Sequence, residues 1–254
     1  MRLALVAALA VAASHAVAAS DDNRSRREAF RHYLAGEDAM ASERFEQAAG
    51  EFEEAVKLDP RLVLAHYGLG QARMALKDYL AAVRAYLGCR RAFHEAVATE
   101  LEMEASSEQR LDAQIRSLED RVAILSNVNP AATATRPLSQ ANVQHVQQQL
   151  ETLRAIRRHG TATVEKTPPW ISVALGSAYF RSNQFADAER EYKAALEVDA
   201  GVGEAHNNLA VVYLLTNRPV DAEREVALAE KAGLRVRDGL KQDIARMKAS
   251  AGAH

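Results

Sequence analysis

The strongest constraint on this chain is a pair of short apolar-patterned segments whose spacing returns every 34 residues. Small residues recur at two fixed places in each copy, and large residues such as Phe52 and Tyr192 follow them. The spacing predicts helix pairs, because small residues let two helices approach closely and large ones fill the gap to the next helix. The recurring small residues are Gly36, Ala48, Gly70, Ala82, Gly176, Ala188, Ala210 and Ala222.

Asparagine recurs between the two segments of the later copies, at Asn183 and Asn217. Asn tolerates the left-handed conformation that ends a helix. Pro219 then suits the first turn of the following helix. The sequence therefore predicts a tight turn inside each of these helix pairs.

The pattern resembles the tetratricopeptide repeat family, whose L-G-x2-Y…A-x3-F signature fits Leu175-Gly176, Tyr179, Ala188 and Tyr192. We interpret four repeats, at about 29–62, 63–96, 169–202 and 203–236. At two positions, Ala39 and Arg73, the aromatic residue usual in the family is replaced, and His94 stands where a proline often closes the unit.

The resemblance implies an all-α fold, a helical solenoid built from two tandem pairs of repeats at 29–96 and 169–236. Each unit leaves an apolar face open, so units must stack and the last needs a cover. Leu240, Ile244 and Met247, separated by charged residues, predict a capping helix at about 237–250.

Residues 97–168 break the 34-residue rhythm and carry two heptad seams. A loop with Pro130 and Pro137 separates them, which predicts an inserted antiparallel coiled-coil hairpin, here named the arm, with helices at about 107–126 and 139–159. Ser106 and Gln109 form a candidate capping box for the first helix. The seams consist of Leu111, Ile115, Leu118, Val122 and Leu125, and of Val143, Val146, Leu150 and Leu153.

Two questions about the arm stay open at this point. It either packs on itself or exposes a surface for self-association, and the oligomeric state is not determined by the sequence. The arm also either lets the two repeat pairs form one continuous groove or holds them apart.

Residues 1–19 have the organisation of a secretory signal peptide. Arg2 precedes an apolar run of 11 residues from Leu3 to Ala13, and Ala16 to Ala18 forms a small-x-small cleavage site. The run is too short for a bilayer span, and no later stretch is long enough. We predict export to the periplasm or beyond through a cleavable signal, with no transmembrane segment after cleavage. The alternative is an uncleaved N-terminal anchor.

Charge and cysteine content limit the classes of partner and of covalent cross-link that the chain can have. The formal net charge is −2, from 32 basic and 34 acidic residues, so no long-range attraction to nucleic acid is expected. Cys89 is the only cysteine, which excludes an internal disulfide. Its place in the repeat predicts an inert core thiol.

By resemblance, partners would bind in the groove lined by the first helix of each repeat. This lining mixes aromatic, Met and amide side chains, which suits an extended peptide or a partner helix. The alternative is that several of these side chains pack against the cap or the arm. The predicted groove residues are Tyr33, Glu37, Met40, Tyr67, Gln71, Met74, Phe180, Arg181, Asn207, Asn208 and Val211.

The sequence offers no catalytic, metal or cofactor site. His32, His66 and His206 share one place in three repeats, but no Cys/His/Asp cluster accompanies them, which favours packing. Nucleophile-elbow, phosphate-loop and dinucleotide motifs do not occur. The favoured function is a non-enzymatic protein-interaction adaptor of the cell envelope. The alternative is a structural assembly subunit that self-associates through the arm.

Overall fold

The structure is a computed structural model that describes residues 2–127, 144, 146–154 and 166–251, without side-chain detail for residues 2–21, 104, 121, 123–127 and 251. The described regular structure is entirely helical, as predicted. None of the described helices has the length and apolar composition needed to cross a membrane. The helices are α1 (Arg2–Ala41), α2 (Phe45–Leu58), α3 (Val63–Ala75), α4 (Tyr79–Asn127), α5 (146–154), α6 (Pro169–Arg181), α7 (Phe185–Val198), α8 (Gly203–Leu215), α9 (Pro219–Lys231) and α10 (Asp238–Ala251).

The chain divides into two compact units. One contains residues 1–95 and 166–254, and the other contains residues 96–165. Helices α1 to α3, the start of α4 and α6 to α10 belong to the first unit. The rest of α4 and helix α5 belong to the second.

Each of the first three repeats is a helix pair held at close range by a glycine opposite an aromatic ring. A Cβ atom on Gly36 would lie 2.6 Å from the Phe52 ring, and one on Gly176 would lie 2.7 Å from the Tyr192 ring. Neither ring reaches solvent, because Phe52 and Tyr192 are 0 and 1% exposed. The helices are therefore too close for even a methyl group, and the predicted packing is confirmed.

The turn inside each repeat contains one residue in the left-handed conformation. The φ angles are 56° at Glu43, 61° at Lys77, 61° at Asn183 and 59° at Asn217. The two asparagines confirm the prediction made from their recurrence. Glu43 and Lys77 occupy the same register without the local hydrogen-bonding side chain that makes Asn tolerant there.

The two departures from the family pattern are accommodated differently. Ala39 is completely buried beside Phe52. Arg73 is partly buried, and its guanidinium pairs with Glu53 of α2 and lies 3.7 Å from the carboxylate of Asp78. A salt-bridged arginine thus stands where the family places an aromatic ring.

The second and third repeats pack directly against each other. Val83 and Tyr86 of α4 share a buried cluster with Leu175 and Ala178 of α6. The alternative in which the arm holds the repeat pairs apart is therefore wrong. The apolar surfaces left open on the second and third repeats meet each other, because stacking is the available way to bury them.

The C-terminal end of the solenoid is covered by α10. Ile244 is 3% exposed and joins the core of the last two repeats together with Val236, which precedes the helix. Leu240 packs against the same core. At the edge of this contact Lys248 pairs with Glu223 of α9, whereas Arg246 and Asp243 of α10 pair with each other and are exposed. The helix is thus apolar toward the solenoid and charged toward water.

The recurring histidines serve packing and hydrogen bonding. His32 Nδ1 lies 2.8 Å from Glu51, and His206 Nδ1 lies 2.7 Å from Glu225. The His206–Glu225 pair is buried, with both side chains 7% exposed. His66 instead places Nε2 2.9 Å from the Pro60 carbonyl oxygen. Each histidine thus has an oxygen partner, which comes from its own repeat for His32 and His206 and from the end of the preceding repeat for His66.

The start predicted for the first arm helix is wrong. Ser106 lies inside α4, and its hydroxyl donates to the carbonyl oxygen of Glu102 at 2.8 Å. A mid-helix serine satisfies its hydroxyl in this way without ending the helix, so the capping box does not form. The predicted loop with Pro130 and Pro137, the seam residue Val143 and the connector around Gly160 lie outside the described residues.

Candidate functional site

A cavity of about 340 Å³ opens where the first helices of the last three repeats lie side by side. The apolar part of its lining, here called the floor, consists of Met74 from α3, Phe180 from α6 and Val211 from α8. Each of these residues comes from a different repeat, so the cavity exists only because the second and third repeats stack. The other lining residues are Ser177, Arg181, Tyr192, Asn207, Asn208 and Arg237.

Hydroxyl and amide groups form one wall of the cavity. The Tyr192 hydroxyl donates to Ser177 Oγ at 3.2 Å, and Asn207 Nδ2 donates to Asn208 Oδ1 at 3.3 Å. Burial raises the pKa of Tyr192 to about 12, so its phenol stays protonated at neutral pH. This wall therefore offers neutral donors and acceptors.

Two arginines supply the only charges among the described lining residues. Arg181 lies at the end of α6, and Arg237 lies just before α10. The Arg181 guanidinium carbon also sits 6.0 Å from the centroid of the Tyr79 ring. The described lining contains no Asp or Glu. The cavity therefore presents positive charge beside neutral amides and an apolar floor.

Six of the eleven residues predicted for the groove line this one cavity. They come from three repeats, two of which are far apart in sequence yet adjacent in space. Their common register in the 34-residue pattern is what allowed the sequence to group them. The six are Met74, Phe180, Arg181, Asn207, Asn208 and Val211.

The other five predicted residues lie elsewhere on the first two repeats. Tyr33 and Met40 pack against the cluster around Phe52, with the Tyr33 and Phe52 ring centroids 6.0 Å apart. Tyr67 packs against the cluster that joins the second and third repeats. The remaining two, Glu37 and Gln71, are exposed.

Tyr67 is held by a second aromatic ring. Its centroid lies 4.8 Å from that of Trp170, with the ring planes at 90°. Burial raises the pKa of the Tyr67 phenol. This edge-to-face contact adds to the junction between the second and third repeats.

A row of exposed apolar residues was missed by the sequence prediction. Phe30, Leu64 and Trp170 are 48, 47 and 41% exposed. Each is the second residue of its predicted repeat, so the 34-residue spacing could have identified all three. Arg237 was also missed, and its position before the cap gave no repeat signal.

Comparison with known sequences identifies the repeat. The family profile described as tetratricopeptide repeat matches residues 33–97 and 173–233. Both ranges contain the close helix pairs described above. No curated protein sequence matches the chain.

Solved structures of repeat proteins show low overall similarity. PilW, described as a widely conserved type IV pilus biogenesis factor, is 15% identical, covering 89% of this chain and 88% of that chain with a TM-score of 0.40. TTC0263, a thermophilic TPR protein of Thermus thermophilus, is 18% identical, with 87% and 99% covered and a TM-score of 0.34. YrrB, described as a TPR protein with an unusual peptide-binding site, is 14% identical, with 92% and 97% covered and a TM-score of 0.30. At these scores the likenesses do not indicate what this chain binds.

Proposed function

Because the chain is a tetratricopeptide repeat protein, we propose that it is a non-enzymatic adaptor that binds an extended peptide segment of a partner protein. The observation that carries this proposal is the cavity of about 340 Å³ built jointly by three repeats. A concave site with an apolar floor and a few convergent polar groups is the usual form of a ligand site.

The polar wall suits a peptide backbone. Asn207 and Asn208 each have an amide that donates and accepts, so together they match the donor and acceptor of a peptide bond. The apolar floor of Met74, Phe180 and Val211 accepts one apolar side chain of the same segment. Methionine at such a floor adapts to side chains of different shape.

The two arginines favour a partner segment that carries a carboxylate. Arg181 and Arg237 contribute guanidinium groups to a described lining that has no acidic residue of its own. A guanidinium forms its strongest hydrogen bonds with a carboxylate. The segment therefore carries an Asp or a Glu beside an apolar residue.

The proposed compartment is the cell envelope, reached by export. This part of the proposal rests on residues 1–19, where an apolar run of 11 residues precedes a small-x-small site. N-terminal sequencing of the protein recovered from its native host should begin at or near Ser20. A sequence that begins at Met1 would contradict it.

Binding is tested with two fluorescein-labelled degenerate octapeptide pools whose C-termini are amidated, so that neither pool carries a terminal carboxylate. One pool has Asp or Glu at a central position beside an apolar residue, and the other has Asn or Gln there. The acidic pool should bind the parent protein about tenfold more tightly in fluorescence anisotropy, which corresponds to about 1.4 kcal/mol. Equal binding of the pools would contradict the carboxylate preference.

The cavity is tested with matched variants. Asn208→Ala and Arg181→Ala should each weaken binding of the acidic pool with little change in the melting temperature. Gln242→Ala and Arg84→Ala remove an exposed amide and an exposed guanidinium outside the cavity lining, and they should bind like the parent. If both cavity variants bind like these controls, the cavity is not the peptide site.

A further inference from the structure

The two sides of the arm differ in chemistry. On one side, Arg154 of α5 donates to Glu119 of α4 at 2.7 Å, so a charge pair bridges the helices. On the other side, α4 and α5 leave an open cavity of about 430 Å³. Its described lining carries no charged residue and consists of Gln114, Ser117, Leu118, Gln149, Thr152 and Leu153.

The two helices bring the same sequence pattern to this cavity. Gln-Ile-Arg-Ser-Leu ends at Leu118, and Gln-Leu-Glu-Thr-Leu ends at Leu153. Each segment gives the cavity a glutamine, a hydroxyl residue and a leucine at identical spacing. In each segment the charged residue, Arg116 or Glu151, is absent from the described lining. The cavity therefore has two chemically matching halves.

Few of the described residues of the arm are buried. Among the described residues of this unit, only Ile115, Val146 and Leu150 are nearly buried, at 5, 3 and 7% exposed. Leu118 and Leu153 remain partly exposed at the edge of the cavity. Helices added against this edge would bury these two leucines and increase the buried apolar surface of the arm.

We propose that a second copy of this chain packs its arm on this face, giving a symmetric dimer through a four-helix bundle. The face can pair with an identical face, because the Gln114 amide donates and accepts. The Thr152 hydroxyl, which donates to the Gln148 carbonyl oxygen, still has lone pairs that accept. The absence of charge among its described residues removes the like-charge repulsion that two copies of a charged face would experience. This interaction is separate from the peptide-binding cavity of the repeats.

The test uses opposite charges on the same face of the full chain. The acidic variant carries Gln114→Glu and Thr152→Glu, and the basic variant carries Gln114→Lys and Thr152→Lys. Analytical ultracentrifugation should show a dimer for the parent at about 100 μM and a monomer for each variant. An equimolar mixture of the two variants should restore the dimer, because opposite charges then face each other.

The control uses the same chemical change away from the cavity. Gln109 and Gln148 are exposed on α4 and α5 but do not line it, so Gln109→Glu with Gln148→Glu should leave the dimer intact. Circular dichroism checks that every variant keeps the parent helix content. A monomeric parent at this concentration would overturn the proposal, and so would charge variants that dimerise like the control.

Discussion

Arg90 Nη1 donates to both carboxylate oxygens of Glu191, at 3.1 and 2.9 Å, although the two residues are 101 positions apart in the sequence. Arg90 belongs to the second helix of the second repeat, and Glu191 belongs to the second helix of the third repeat. Glu191 is 5% exposed, so Arg90 rather than water is the main partner of its carboxylate. The ion pair therefore joins the two halves of the solenoid at their interface.

Arg90→Met should lower the free energy of unfolding by about 3 kcal/mol, because it leaves the Glu191 carboxylate buried without its partner. Arg90 is itself 31% exposed, which puts the expected loss at the lower end for such pairs. Unfolding in urea measures this loss in the free energy of unfolding. The double variant Arg90→Met with Glu191→Leu should recover most of the loss. If the double variant is no more stable than the single one, the pair does not act as inferred.

Lys77→Gly should raise the free energy of unfolding by about 1 kcal/mol. Lys77 has a φ angle of 61°, a conformation that is strained for a residue with a Cβ and free of strain for Gly. Lys77→Ala is the matched control, since it removes the same side chain but keeps the strain. Denaturant titration should place the glycine variant above the alanine variant. Equal stabilities would show that the turn is not strained.

Gly176→Ala should destabilise the protein by about 1–3 kcal/mol, because the added methyl would overlap the Tyr192 ring. Gly50 is the matched control, since it lies inside α2 with nothing within 4 Å of an added Cβ. Gly50→Ala should stabilise the helix by about 0.5–1 kcal/mol. Opposite shifts of the melting temperature are expected. A shift in the same direction for both variants would contradict the packing assigned to Gly176.

Cys89 should not react with a thiol reagent at pH 8 in the folded protein. The residue is 0% exposed, and burial raises the pKa of its thiol to about 12, so the reactive thiolate is scarce. In guanidinium chloride the thiol should react fully, because unfolding removes the burial. With a reagent that releases a coloured product when it reacts with a thiol, absorbance measures the reaction in both the folded and the unfolded protein. Rapid modification without denaturant would show that the thiol is accessible.

The parts of the fold that follow from local spacing were predictable, and the parts that depend on distant contacts were not. Gly36, Gly176 and Tyr192 were identified because one repeat contains all the information about its own helix pair. Ser106 was misread as a helix start because a serine at a cap and a serine inside a helix look alike in sequence. The inside position is distinguished by a bond to the carbonyl of Glu102 four residues earlier.

The candidate cavity was also predictable in part. Repeat register grouped Phe180 with Asn208, because equivalent positions of neighbouring repeats face the same way. Arg237 was not predicted, since it lies outside the repeats and reaches the cavity from the segment before α10. The direct stacking of the second and third repeats was left open, because 72 residues separate the two and the spacing says nothing across such a gap.

The junction between those repeats has a consequence for how the chain folds. Every other pair of neighbouring repeats is continuous in sequence, so their contacts form by closing short loops. The contact between Tyr86 and Leu175 must instead close a loop that includes the whole arm. The entropy cost of loop closure grows only with the logarithm of loop length, which makes this a modest cost in stability. Contact order affects the rate of folding more strongly than it affects stability. This junction, which joins residues far apart in sequence, is therefore expected to form last.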